Sequence, residues 1–123
     1  MAYIPAAVLA VGIAVVSLIE NPHIPSDIRL SDKAMHALMY ALLALSLAAA
    51  LFRNRHAAWR TALLSILGTT LYGAILELLQ ATCTRTRSGE WLDVLADLIG
   101  ALAGFIVVWI VTLCFHRTHT TSR

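Results

Sequence analysis

The apolar positions of the chain fall into four runs divided by short polar breaks. Residues 4–19 are almost unbroken hydrophobic, with Ala2, Tyr3 and Glu20 at their borders, and later runs occupy 34–52, 61–81 and 91–115. Each approaches the ~20 residues that a helix needs to cross a ~30 Å hydrocarbon core, so the pattern predicts spans at 2–19, 34–52, 61–81 and 91–115. Glu20-Asn21-Pro22 ends the first run, and His23 to Leu30, with Pro25, Asp27 and Arg29, reads as an irregular loop. Ser31 or Asp32 is placed to cap the second helix. Arg53, Arg55, His56 and Arg60 make a basic loop, and residues 82–89 make a second polar loop that ends at Gly89.

Composition turns these runs into a class. Of 123 residues, 59% are hydrophobic and 13% charged, too apolar for a domain that must cover its surface with polar groups. The reading is an all-α integral membrane four-helix bundle, one domain over residues 1–123. Met1 to Pro5 has no Lys or Arg, so the first run lacks the basic start of a signal peptide and is kept as a helix. A net charge of +2 scattered near segment ends argues against nucleic acid as a partner. Arginines in the 53–60 loop and in the tail, with no acid in either, place the loop and both termini in the cytoplasm by the positive-inside rule. The expected location is therefore a bacterial cytoplasmic membrane, with all seven carboxylates toward the outer face. Cys83 and Cys114 fall roughly 35–45 Å apart at 1.5 Å per residue, which excludes a disulfide between them.

The ionisable residues inside these runs gather at one depth. Asp32, His36 and Tyr40 recur every four residues and share a face of the second helix. Glu77 and Gln80 share a face near the outer end of the third, and Asp93 and Asp97 share one near the start of the fourth. The stripe on the fourth helix continues through Gly100 and Gly104, a spacing that lets a neighbouring backbone come close. Transport is disfavoured, because no pair of broken helices and no polar residue at mid-depth offers a pathway.

Asp32-Lys33-Ala34-Met35-His36 with Tyr40, then Tyr72-Gly73 leading to Glu77-Leu78-Leu79-Gln80, then Arg87-Ser88-Gly89, then Asp93 to Gly100, carry a resemblance. In order and spacing they are similar to the VanZ-like family of bacterial membrane proteins, over about residues 28–105. The resemblance implies a small multi-span protein of the cell envelope, named after a protein associated with teicoplanin resistance, and it implies no settled activity. The family pattern usually has Asn where this chain has Asp97.

The chemistry follows from the residue types. Intramembrane ionisable groups are costly and usually mark a working site. Lys33 and Arg87, with backbone donors at the start of the second helix, can hold an anionic head group, with Gln80, Asp97, Tyr40 and Asp32 as further contacts. His36 can act as general acid or base with Glu77 orienting it and Asp93 beside it. The ligand class so implied is an envelope lipid or a lipid-linked cell-wall intermediate. No activated nucleophile is visible, since Ser88 has no base at a fixed spacing, so water must attack in any hydrolysis. No cofactor is called for. A divalent cation held by Glu77, Asp93, Asp97 and His36 ranks below this reading, because the spacings match no known metal motif. Two rivals from other classes stand beside it: a binding protein without catalysis, and a structural membrane subunit in which the polar residues only pair between helices, at ~0.6–2 kcal/mol each. Asp32 serves equally well as a helix cap, Tyr40 as packing, and Arg85 as a side chain reaching the interface.

Overall fold

The computed structural model describes residues 1–19, 29–83 and 90–120, the side chains of 29–32 and 115–120 excepted. It consists of four helices, α1 (Ile4–Leu18), α2 (Arg29–Arg53), α3 (Ala58–Cys83) and α4 (Trp91–Thr120). There is no strand among the described residues. Stretches of α2, α3 and α4 are each long and apolar enough to cross a membrane, namely Lys33–Arg53, Ala58–Cys83 and Trp91–Cys114. At 15 residues α1 is shorter than expected for a span, about 22 Å at 1.5 Å per residue against a ~30 Å core. Large apolar side chains on the outside, among them Val8, Val11, Leu71, Leu78 and Ile99, suit lipid rather than water.

Two further boundaries differ from expectation. The second helix already runs from Arg29, so Ser31 and Asp32 lie inside its first turns and neither caps it. The third helix begins at Ala58 and includes a π-helical segment, Leu63–Leu67, between Ala58–Ala62 and Gly68–Cys83.

That π segment explains which face α3 buries. Thr61, Ser65, Thr69, Gly73 and Glu77 are all buried, and they are spaced by four. In an unbroken α-helix a four-residue step overshoots a full turn by ~40°, so such a stripe drifts off the interface. A π segment makes a wider turn, rotates less per residue and opposes the drift. The hydroxyls at mid-depth, absent from the sequence reading, are turned inward but bond their own helix. Ser65 Oγ donates to Thr61 O and Thr69 Oγ1 to Ser65 O, each at 2.6 Å. They form no polar pathway.

The centre of the bundle is the parallel pair α2 and α4. Ala44, Ala48 and Ala101 on these two helices are fully buried. A Cβ built on Gly100 would strike the carbonyl oxygen of Ala37, and one on Gly104 that of Ala41. α3 packs on this pair, and α1 lies outermost against α2 and α3. Ile13 and Ala6 of α1 join Tyr40, Leu43 and Leu76 in the apolar core. Toward the end of α2, Phe52, Phe105 and Trp109 fill the space with ring centroids 6.0–6.4 Å apart. Cys83 and Cys114 are free thiols.

α2 ends in a Schellman turn. His56 N–H donates to Leu51 O at 3.1 Å and Arg55 N–H to Phe52 O at 2.9 Å, around Arg55 at φ 60°. Glycine usually holds this left-handed position, because a Cβ there costs roughly 1–2 kcal/mol.

Two stability outcomes follow. Gly100→Ala should lower the thermal midpoint in detergent by the equivalent of ~1–3 kcal/mol, since a backbone carbonyl cannot rotate aside. Gly12→Ala, where a Cβ meets nothing within 4 Å, should hold or raise it. Arg55→Gly should raise the midpoint by about 1 kcal/mol; a fall would show that the arginine side chain makes a contribution larger than its backbone strain.

Candidate functional site

The parallel register of α2 and α4 sets opposite charges against each other near the starts of both helices. Lys33 Nζ lies 2.8 Å from Asp93 Oδ1 and 3.0 Å from Glu90 Oε2. One turn further in, His36 Nδ1 lies 3.1 Å from Asp97 Oδ1, in a pair with side-chain exposures of 7% and 0%. Glu77, reaching in from α3, brings Oε1 to 3.9 Å from the same imidazole nitrogen. Its other oxygen accepts a hydrogen bond from the backbone N–H of Glu90 at 3.1 Å. The carboxylates therefore crowd the positive ends of two helix dipoles, where negative charge is favoured.

Packing fixes the ring of His36. Tyr40, one turn along α2 and 1% exposed, stacks on it with centroids 6.2 Å apart and planes 11° apart. Tyr40 is tilted against Tyr72, whose hydroxyl donates to Ala10 O of α1 at 2.6 Å. Gly73 makes room for the pair: a Cβ there would collide with Asp97 Oδ2 and crowd the ring of Tyr40. That second oxygen of Asp97 is buried and has no hydrogen-bond partner in the structure.

Two features open the cluster to ligands. A cavity of about 250 Å³ beside it is lined by Glu77, Leu78, Ala81, Glu90, Trp91 and Val94. In addition His36, Glu77 and Asp93 each present a donor atom to one small space, all three atoms within 4.8 Å of one another.

A family model for VanZ/LLP1 matches residues 6–112 of the chain. The chain belongs to the VanZ/LLP1 family. No curated protein and no solved structure matches it.

The VanZ/LLP1 match extends beyond the motifs at 28–105 and takes in α1. Together with the apolar helices it makes the chain a membrane protein, and its family name carries the association with teicoplanin resistance.

Of the residues singled out from the sequence, the fold brings Lys33, His36, Tyr40, Glu77, Asp93 and Asp97 into one cluster. The nearest carboxylate to His36 is Asp97 rather than Glu77. Gln80 turns toward α1, where its amide nitrogen donates to Ser17 O at 2.8 Å. The side chains of Asp32 and Arg87 lie outside the described residues, as does any pairing of Arg87 with Asp93.

Two members of this VanZ/LLP1 cluster were not singled out. Glu90 stands three residues before Asp93 at the helix start, a spacing that puts both on one side of the first turn. Gly73 had been quoted only as part of a motif, although its lack of a side chain admits the His36–Asp97 pair.

Removing one partner of a buried pair leaves the other uncompensated, whereas an isosteric amide at Glu77 can still accept from Glu90 N–H. His36→Ala should therefore lower the thermal midpoint by the equivalent of ~1–3 kcal/mol. Glu77→Gln, measured in the same detergent, should hold or raise it. A large fall for Glu77→Gln would mean that its charge, rather than its shape, holds the helices together.

Proposed function

We propose that this VanZ/LLP1 protein lies in the bacterial cytoplasmic membrane with both termini inside. Its polar cluster then faces the outer surface, where it binds the anionic head group of an envelope lipid or lipid-linked cell-wall intermediate and carries out acid/base chemistry on it. The basic 53–60 loop supports the orientation through the positive-inside rule. The family's association with teicoplanin resistance fits a substrate in the supply of cell-wall material.

The observation that carries the chemical reading is the buried His36–Asp97 pair, 3.1 Å apart and flanked by Glu77. A carboxylate that holds an imidazole by one nitrogen orients it for proton transfer, and imidazole is the side chain suited to take and return a proton near neutral pH. Lys33, although bridged to Glu90 and Asp93, and the starts of α2 and α4 are the positive groups at this face. Water is the nucleophile in this scheme, entering through the cavity beside Glu77 and Trp91.

The purely structural alternative draws on the same pairs, which join helices of one chain.

The test is head-group release from phospholipids and lipid-linked pyrophosphates by the purified protein in nanodiscs. His36→Ala should reduce turnover by roughly 10²–10⁴-fold, the usual contribution of a general acid or base. Absence of turnover by the parent protein, or equal turnover by His36→Ala, would defeat the catalytic reading. Head-group affinity that survives in that variant without any turnover would leave a binding protein.

A further inference from the structure

The cluster has an excess of negative charge. Among the described residues it sets four carboxylates, Glu77, Glu90, Asp93 and Asp97, against Lys33 and the imidazole of His36. Three of the four are nearly or wholly buried, with Glu77 and Asp93 at 6% exposure and Asp97 at 0%. Buried carboxylates need compensation from hydrogen bonds, protons or cations. Lys33 supplies a positive charge to Asp93 and Glu90. On the His36 side Asp97 Oδ2 is left buried with no hydrogen-bond partner in the structure.

The arrangement of donors answers this excess. His36 comes from α2, Glu77 from α3 and Asp93 from α4, with one donor atom of each inside a 4.8 Å circle. Donors on a tetrahedral metal with ~2.0–2.1 Å bonds lie about 3.3 Å apart, so modest side-chain rotations close the set. Asp97, 3.1 Å from His36 Nδ1, takes that nitrogen, so the cation would bind Nε2, the carboxylate–histidine arrangement that fixes ligand orientation at metal sites. One imidazole and two carboxylates favour a transition cation over magnesium or calcium, which take all-oxygen shells.

We propose that His36, Glu77 and Asp93 form a binding site for one divalent transition-metal cation, of the zinc or manganese class, with Asp97 orienting His36. Three protein ligands leave a position open to water. The cation also neutralises the cluster toward an anionic head group, which the four carboxylates would otherwise repel. The inference itself rests on ligand geometry and burial rather than on the head-group reading, and a cation-bound His36 would no longer serve as the general base of that reading.

The test accordingly contains no lipid. The full chain, purified in a mild detergent and stripped with chelator, is titrated with Zn²⁺, Mn²⁺ and Mg²⁺ by calorimetry, and bound metal is counted by elemental analysis. A parallel preparation carries Cys83→Ser, His116→Gln and His119→Gln to remove other zinc donors.

One zinc or manganese ion per chain should bind in both preparations, and more tightly than magnesium. Asp93→Asn, close in shape to the parent, should weaken binding at least ~10-fold, and Asp97→Asn by roughly 10- to 100-fold through the ring it orients. X-ray absorption of the zinc-loaded triple variant should show a shell of nitrogen and oxygen donors that changes in Asp93→Asn. That readout needs no variant of His36 and so does not depend on the folding of one. Absence of a stoichiometric ion in the triple variant, or affinity unchanged in both Asp93→Asn and Asp97→Asn, would overturn the proposal.

Discussion

The contact on which the structure depends is backbone against backbone: Gly100 and Gly104 of α4 seated on the carbonyls of Ala37 and Ala41 of α2. In lipid the hydrophobic effect does not drive helices together, so association rests on close van der Waals packing and on polar contacts. The glycines make that packing possible by removing the side chains that would hold the helices apart. They also set the register. With Gly100 on Ala37, Asp97 falls opposite His36 and Asp93 opposite Lys33. A slip of one residue along either helix would rotate the carboxylates by about 100° and turn them toward lipid.

The same register recurs across the bundle. The long-range bonds Lys33–Asp93, His36–Asp97, Tyr72–Ala10 and Gln80–Ser17 join residues separated by 60, 61, 62 and 63 positions. Such uniform offsets arise when two helical hairpins of similar length lie side by side, so that α1 runs parallel to α3 and α2 to α4. The π segment of α3 belongs to this fit. Without it the stripe from Thr61 to Glu77 would wind off the interface, and Thr61 and Glu77 could not both be buried. The hydroxyls of Ser65 and Thr69 then satisfy themselves on carbonyls of their own helix, which lets α3 pack closely without needing partners from α2 or α4.

Much of this was legible because helical spacing is arithmetic. Four-residue steps placed His36 with Tyr40 and Asp93 with Asp97, and the Gly100–Gly104 spacing announced a close helix contact before any partner was known. Azimuth was not legible. Spacing says which residues share a face but not which neighbour that face meets, so Glu77 was expected as the partner of His36 where Asp97 stands closer, and Gln80 was placed with Glu77 although it bonds α1. Mid-depth polarity was missed for a related reason. Thr61, Ser65 and Thr69 were read within an apolar run, whereas their strict spacing of four, continued by Gly73 and Glu77, carried the signal of a buried stripe too long for an unbroken α-helix. The start of α2 at Arg29 escaped because Pro25 and Asp27 just upstream made the sequence read as loop up to Leu30, past the point where the helix begins.

The position of the charged residues relative to the packing bears on why they are there. Gly100 and Gly104, seated on the backbone at Ala37 and Ala41, already give α2 and α4 a close seam without any charge. Ion pairs buried beside such a seam need not add stability, because the desolvation of each partner offsets their attraction, and apolar residues of similar volume often do as well. A setting within the membrane raises that cost further. The cluster is also more elaborate than a clamp between two helices requires. Glu77 arrives from a third helix, Gly73 is stripped to a hydrogen where Asp97 needs room, and Tyr40 stacks on the ring of His36. These arrangements orient donor atoms as well as join helices. That is the physical ground for reading this end of the bundle as a binding site which the glycine seam holds in place.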